Sequence, residues 1–249
     1  MQSGVIKPSF ISLAARSYLF KLRAYSGYLF GLIMAQLLGL ALSGANTSNI
    51  STTNHNIIIN LYGTQLIPFF TAVWIFVIAV IFASRASKDS AFTFPGSRLT
   101  DSVSDLAYLL TCCIFGGVTT ALSGAALRFI VFILYPGSIL HQGFYPVFIE
   151  QATIASGTFL YLLLLSSVSY LCGTLIRRSK AFGVLVLALL LFIVASLLNT
   201  VNISPFWRAV RSFLFEESSL ARFGLISAAI SIVFYAVSVI AANFMEVKK

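Results

Sequence analysis

Leu66-Ile67-Pro68-Phe69-Phe70-Thr71-Ala72-Val73-Trp74-Ile75-Phe76-Val77-Ile78-Ala79-Val80-Ile81-Phe82-Ala83-Ser84 carries no charged side chain and only two hydroxyls. A helix on the surface of a soluble domain shows a polar face every 3.6 residues. This one has none, and it matches the roughly 20 apolar residues that cross a bilayer. Pro68 falls in its opening turn, where a missing backbone donor costs least. The stretch reads as a membrane span, and the rest of the chain follows suit. Of 249 residues 59% are hydrophobic and 9% charged, where soluble domains carry about a quarter charged. The mean hydropathy is +0.96. These figures exclude an ordinary soluble enzyme, a disordered chain, a disulfide scaffold and a water-soluble nucleic-acid binder, even at a net charge of +9.

Working outward, the apolar runs predict six spans: about 27–44, 61–84, 106–134, 151–175, 181–198 and 223–245. A cleaved signal peptide at the first of them is rejected, because its leading region would be unusually long. Ala45 to Asn60, rich in Asn, Ser and Thr, reads as a loop. Residues 85–105 form the longest charged stretch, and 199–222 read as a helical segment between spans five and six. The 106–134 run is longer than a bilayer is thick at 1.5 Å per residue, so its far end should tilt or project.

Charge orients these spans. With both termini inside, 12 of the 16 basic residues face the cytoplasm: Lys7, Arg16, Lys21, Arg23, Arg85, Lys88, Arg98, Arg177, Arg178, Lys180, Lys248 and Lys249. Arg128, Arg208, Arg211 and Arg222 remain outside. The asymmetry follows the positive-inside rule, which makes 85–105 cytoplasmic and 199–222 extracellular. The expected fold is an all-α polytopic membrane protein with six transmembrane helices and both termini cytoplasmic.

No Asp, Glu, Lys, Arg or His falls at the centre of any predicted span. Ion-coupled carriers and most intramembrane enzymes keep such groups at depth, because those groups hold the proton, metal or substrate. No phosphate-binding loop of the Gly-x-x-x-x-Gly-Lys-[Ser/Thr] type is present. The chain therefore reads as a non-enzyme that binds no cofactor of its own. Cys112, Cys113 and Cys172 lie within apolar runs, lack metal-ligand spacing and read as small packing residues. Gln36, Gln65, Gln151 and Asn199 either line a modest polar path or bond between helices.

Two stripes of small residues stand out. Gly27, Gly31, Ala35 and Gly39 recur at intervals of four in span one, and Gly116, Thr120 and Gly124 do so in span three. Such faces let helices approach closely, either inside one bundle or at a subunit seam. Ahead of span one, residues 9–25 form an amphipathic helix. Phe10, Ile11, Ala14, Tyr18, Leu22 and Tyr25 share one side and Arg16 and Arg23 the other, while Lys21 lies near the apolar stripe, from which it can snorkel. In the cytoplasmic loop, Phe94-Pro95-Gly96-Ser97-Arg98-Leu99 offers an aromatic anchor, a turn and an N-cap for a helix running into span three. Asp101 and Asp105 then share a face at i, i+4.

The amphipathic helix, six spans with inner termini and the hydrophobic-Pro-x-Ser-Arg segment from Phe94 to Arg98 resemble the permease subunits of type-2 ABC transporters. The resemblance implies that 9–25, with Arg16, Lys21 and Arg23, is an elbow helix, and that 85–105 is a coupling loop. Phe94, Pro95, Ser97, Arg98 and Leu99 would then engage an ATPase, with Arg177 and Arg178 as a second contact. It also implies two separate ATPase subunits holding ATP and Mg, a second permease copy or paralogue, membrane lipid around the pair, and residence in the bacterial cytoplasmic membrane. The lack of deep charge favours export of an amphipathic or hydrophobic substrate, a peptide or toxin first. The alternatives are a lipid or drug efflux permease, a membrane-embedded binding module of an importer, and a structural membrane protein.

Overall fold

The computed structural model describes residues 10–45, 47–52, 57–62, 64–83, 98–134, 148–178, 213 and 219–244. Six helices and one hairpin follow in order: α1 (Phe10–Ala24), α2 (Ser26–Ala45), β1 (Thr47–Thr52), β2 (Ile57–Tyr62), α3 (Leu66–Ala83), α4 (Arg98–Leu134), α5 (Phe148–Arg178) and α6 (Leu220–Phe244). Among the described residues, α2 to α6 are the five helices long and apolar enough to cross a membrane. The chain is a multi-pass helical membrane protein. Expected span five, 181–198, and most of the 199–222 segment lie outside the described residues.

Every predicted span that is described becomes a helix, with ends shifted by a few residues except at two places. Span two starts at Leu66 rather than Leu61, because the residues before it pair as a strand. The stretch expected as a loop forms an antiparallel hairpin, with Asn49 opposite Asn60 and Ile50 opposite Ile59. The β-branched run Ile57-Ile58-Ile59 favours extended backbone, and the helical class holds for the spans themselves. The second shift is at α4. Its helix begins at Arg98, so the last third of the predicted 85–105 loop is an extension of span three.

Helices α2 to α5 alternate direction between an α1 end and a hairpin end. Neighbour contacts fix their order: α2 lies against α3 and α4, α3 against α5, and α5 at the centre touches α3, α4 and α6. Tyr161 meets Phe223, Ser166 meets Tyr235, and Thr174 meets Ser238, so α5 and α6 run parallel. The connection between them, which includes expected span five, lies almost wholly outside the described residues.

The core gathers at the α1 end. Ile75, Ile78, Ala79, Phe82, Tyr108, Leu109, Cys112, Cys113, Leu162 and Tyr170 form one buried cluster. Lipid-type exposure falls elsewhere, on side chains such as Leu38, Leu122, Leu225 and Ile232.

Candidate functional site

The α1 end is where the chemistry-bearing side chains converge, and they do so around Lys21. The α1 helix packs on α4, and Lys21 is turned into that contact with 6% of its surface exposed. Its ammonium pairs with the Asp101 carboxylate and lies 2.5 Å from Asp105 Oδ1. It also lies 2.7 Å from Ser104 Oγ and 3.1 Å from the Asp101 carbonyl. Four acceptors thus surround three N–H donors. Asp105 is fully buried, and its second oxygen accepts from the Tyr170 hydroxyl of α5 at 3.3 Å. One knot of charge therefore joins three helices. An ammonium buried this way is tolerable because carboxylates and hydroxyls replace its water.

The expectation that Lys21 snorkels is corrected by this geometry: it points into the bundle because Asp101 and Asp105, one turn apart on α4, present both carboxylates to it. The spacing of the two aspartates was visible in the sequence, but their partner lies 80 and 84 residues away. Part of the apolar stripe of α1 is likewise used for packing. Tyr18, Leu22 and Tyr25 lean on the core, and the Tyr18 hydroxyl meets Thr111 Oγ1 at 2.9 Å. Phe10, Ile11, Leu19 and Phe20 stay exposed, as do Arg16 and Arg23.

A one-residue break at Tyr25 separates α1 from α2. The Tyr108 hydroxyl donates to the Tyr25 carbonyl at 2.9 Å, and the Ser26 hydroxyl donates to the Arg23 carbonyl at 3.1 Å. Rings clamp the bend: Tyr25 stacks on Tyr28 at 5.6 Å and meets Phe82 edge-on at 5.1 Å, and Phe82 stacks on Tyr108 at 4.6 Å. Such contacts add to area burial, so the elbow is held by both α3 and α4.

A second knot, without charge, lies deeper in the bundle. Gln36 Nε2 is within hydrogen-bond distance of Thr119 at 2.9 Å, Thr120 at 3.1 Å and Thr71 at 3.2 Å. Gln36 is buried, so of its two sequence readings the interhelical bond is the one its contacts show. Beyond it, α5 and α6 are stitched by Ser166 to Tyr235 at 2.7 Å and Thr174 to Ser238 at 3.2 Å. The pattern Ser227, Ser231, Tyr235, Ser238 on α6, spaced by four, four and three, is a legible signal for this seam that the sequence reading passed over. At the hairpin end Arg128 pairs with Glu150 at 3.2 Å, joining α4 to α5.

The small-residue stripes divide. A side chain on Gly39 would meet the Ile67 backbone at 3.0 Å, one on Gly31 would meet Trp74 at 3.3 Å, and one on Gly116 would meet Leu162 at 2.9 Å. Thr120 is buried and Ala35 half-buried. These positions pack inside the bundle, whereas Gly27 and Gly124 face open space. Two tighter approaches are at Gly117, which with Ala121 and Ala125 lies one step round from the Gly116 stripe, against the Ala155 carbonyl, and at Gly173, off the expected stripes, against Val80 and Ala83.

Of the expected ATPase contacts, Phe94, Pro95 and Ser97 lie outside the described residues. Arg98 opens α4, Leu99 beside it is exposed, and Arg177 and Arg178 form the last turn of α5 at the same end. The three cysteines are buried, and among the described residues no group of three or more His, Cys, Asp or Glu is placed to hold a metal. No family model matches this chain, nor does any curated protein or solved structure compared with it.

Proposed function

We propose that this chain is the membrane-spanning permease subunit of a type-2 ABC exporter, working in the bacterial cytoplasmic membrane with a second permease and two ATPase subunits. The observation that carries the reading is α4. Its 37 residues make a rod of roughly 55 Å at 1.5 Å per residue, against a hydrocarbon core of about 30 Å. The rod starts immediately after Phe94-Pro95-Gly96-Ser97, the segment that resembles a coupling helix. A force applied to that segment would enter a continuous helix that reaches the other end of the bundle. The permease carries no catalytic group in this account; ATP and Mg act in the partner, and the bundle responds by shifting between two packings.

The bundle interior fits an amphipathic or hydrophobic cargo, with a peptide or toxin as the first choice. Among the described residues, the buried polar side chains between the α1 end and the Arg128–Glu150 pair at the hairpin end are hydroxyls and one amide, several bonded to one another, so these groups offer a small ion no fixed counter-charge.

Purifying the chain together with the ATPase encoded beside it tests the reading. Co-elution with ATP hydrolysis is the expected result, and the double variant Phe94→Ala/Arg98→Ala should detach the ATPase or abolish the stimulation. Intact assembly and hydrolysis in that variant would remove the coupling role of the segment. A tightly retained small ligand with no bound ATPase would instead favour the importer-module reading.

A further inference from the structure

We infer that Lys21 is a positioning residue that fastens α1 to the inner turns of α4, so that the two helices move as one lever during the transport cycle. The inference deepens the permease reading and rests on it for its hydrolysis test. The permease reading needs a force-bearing α4; nothing in it requires α1 to follow. Three features of the geometry do. First, the contacts of Lys21 on α4 fall between Asp101 and Asp105, within the first two turns after the coupling segment. The fastening is thus at the driven end of the rod. Second, opening the contact would part an ammonium from two carboxylates in a site where Asp105 has no exposed surface, a steep penalty in low-dielectric surroundings. A joint that opens each cycle is normally made of cheaper contacts. Third, the fastening is redundant: Ser17 Oγ lies 3.2 Å from Ser104 Oγ, and Tyr18 bonds Thr111.

Tyr170 adds α5 to the knot through its hydroxyl at 3.3 Å on Asp105. That bond is neutral-to-charged and long, so within the knot it is the contact that yields first.

The experiment uses the full chain in nanodiscs, alone and bound to its ATPase. In the chain alone, amide exchange across residues 10–24 should quicken by roughly tenfold in Lys21→Met and stay unchanged across 220–244. Lys21→Arg, and the swap Lys21→Asp/Asp101→Lys, should restore most of the protection. In the complex, Lys21→Met should retain the ATPase yet lose roughly fivefold or more of the hydrolysis, the low end of usual coupling between sites, with Lys21→Arg recovering it. The decisive arm is Ser17→Cys/Ser104→Cys in a background with the three native cysteines replaced by alanine. The hydroxyl separation brings the two thiols near bonding range, and a disulfide there welds α1 to α4. If the helices move together, oxidised and reduced complexes hydrolyse ATP at equal rates. Hydrolysis that stops on oxidation and returns on reduction overturns the lever, as does Lys21→Met with native exchange and native hydrolysis. Should Lys21→Met fail to fold, the arginine and swapped variants carry the same readings. Failure of the ATPase to bind the wild-type chain counts against the permease reading alone, and the exchange arm then decides whether Lys21 fastens α1.

Discussion

Lys21 and Gln36 each reach across 83 residues of chain to a hydroxyl on α4, and each is buried, yet the two knots are held on different terms. Around Gln36 the partners have somewhere else to go. Thr71 already donates to the Ile67 carbonyl at 2.9 Å and Thr119 to the Phe115 carbonyl at 2.8 Å, so their helices satisfy them whether or not the amide is present. Around Lys21 the partners are charged. Asp105 accepts from Lys21 and Tyr170 with no exposed surface, and a carboxylate that loses its counter-charge there has little water to replace it. A neutral knot tolerates the loss of a member; a charged one does not. The bundle has placed the intolerant knot where α1 meets α4 and the tolerant one among the spans.

The largest test of that contrast is the stability of Lys21→Met. Methionine keeps the length and apolar stem of lysine and removes only the charge. Two carboxylates then face each other, Asp105 fully buried and Asp101 16% exposed, and losses of about 3–5 kcal/mol accompany the removal of one partner from a buried ion pair. Thermal unfolding in detergent, or reversible unfolding in mixed micelles, should register that loss. A change below about 1 kcal/mol, the scale of an exposed pair, would mean that water reaches the knot and that its charges are solvated.

The contrast also explains what could be read from the sequence. The spans were legible because an apolar run long enough to cross a membrane has few other uses: Leu66 to Ala83 is a helix as expected, and residues 148–178 enclose the predicted 151–175. The interhelical role of Gln36 was one of two readings and needed only the identity of its neighbours. The charged knot was not legible, because its logic is tertiary. Ser97 and the i, i+4 spacing of Asp101 and Asp105 pointed to a helix running into span three, but nothing local tied those aspartates to Lys21, which looked like a blemish on an amphipathic stripe. Each is anomalous alone, and together the three form one charged knot between α1 and α4. The hairpin was missed for the opposite reason: Asn, Ser and Thr around it outweighed three consecutive isoleucines in a reading by composition.

A lesion of intermediate size comes from the seam between α3 and α5, where neither charge nor hydrogen bonding is at stake. A methyl on Gly173 would sit 2.6 Å from the Ala83 side chain, 3.1 Å from the Val80 carbonyl and 3.2 Å from Val80 Cα. Two of those three atoms are backbone and cannot rotate away, so Gly173→Ala should push the helices apart at a cost of about 1–3 kcal/mol, the range for overpacking. Gly124→Ala, with open space around it, is the paired control and should be close to neutral. Equal stability of the two variants would mean that the α3–α5 approach is looser than it stands here.

The smallest effect should come from the neutral knot. In Gln36→Leu the amide is replaced by an apolar group of similar bulk, Thr71 and Thr119 keep the helix carbonyls they already use, and Thr120 retains Thr71 at 3.3 Å. Interhelical hydrogen bonds in membrane bundles are worth about 0.6 kcal/mol on average, and the leucine returns some of that by packing. A loss near or below that value, measured alongside Lys21→Met in the same detergent, is the expected outcome. A loss as large as that of Lys21→Met would show that the three threonines depend on the amide, and would move Gln36 from helix packing to a place among the groups that set the conformation of the bundle.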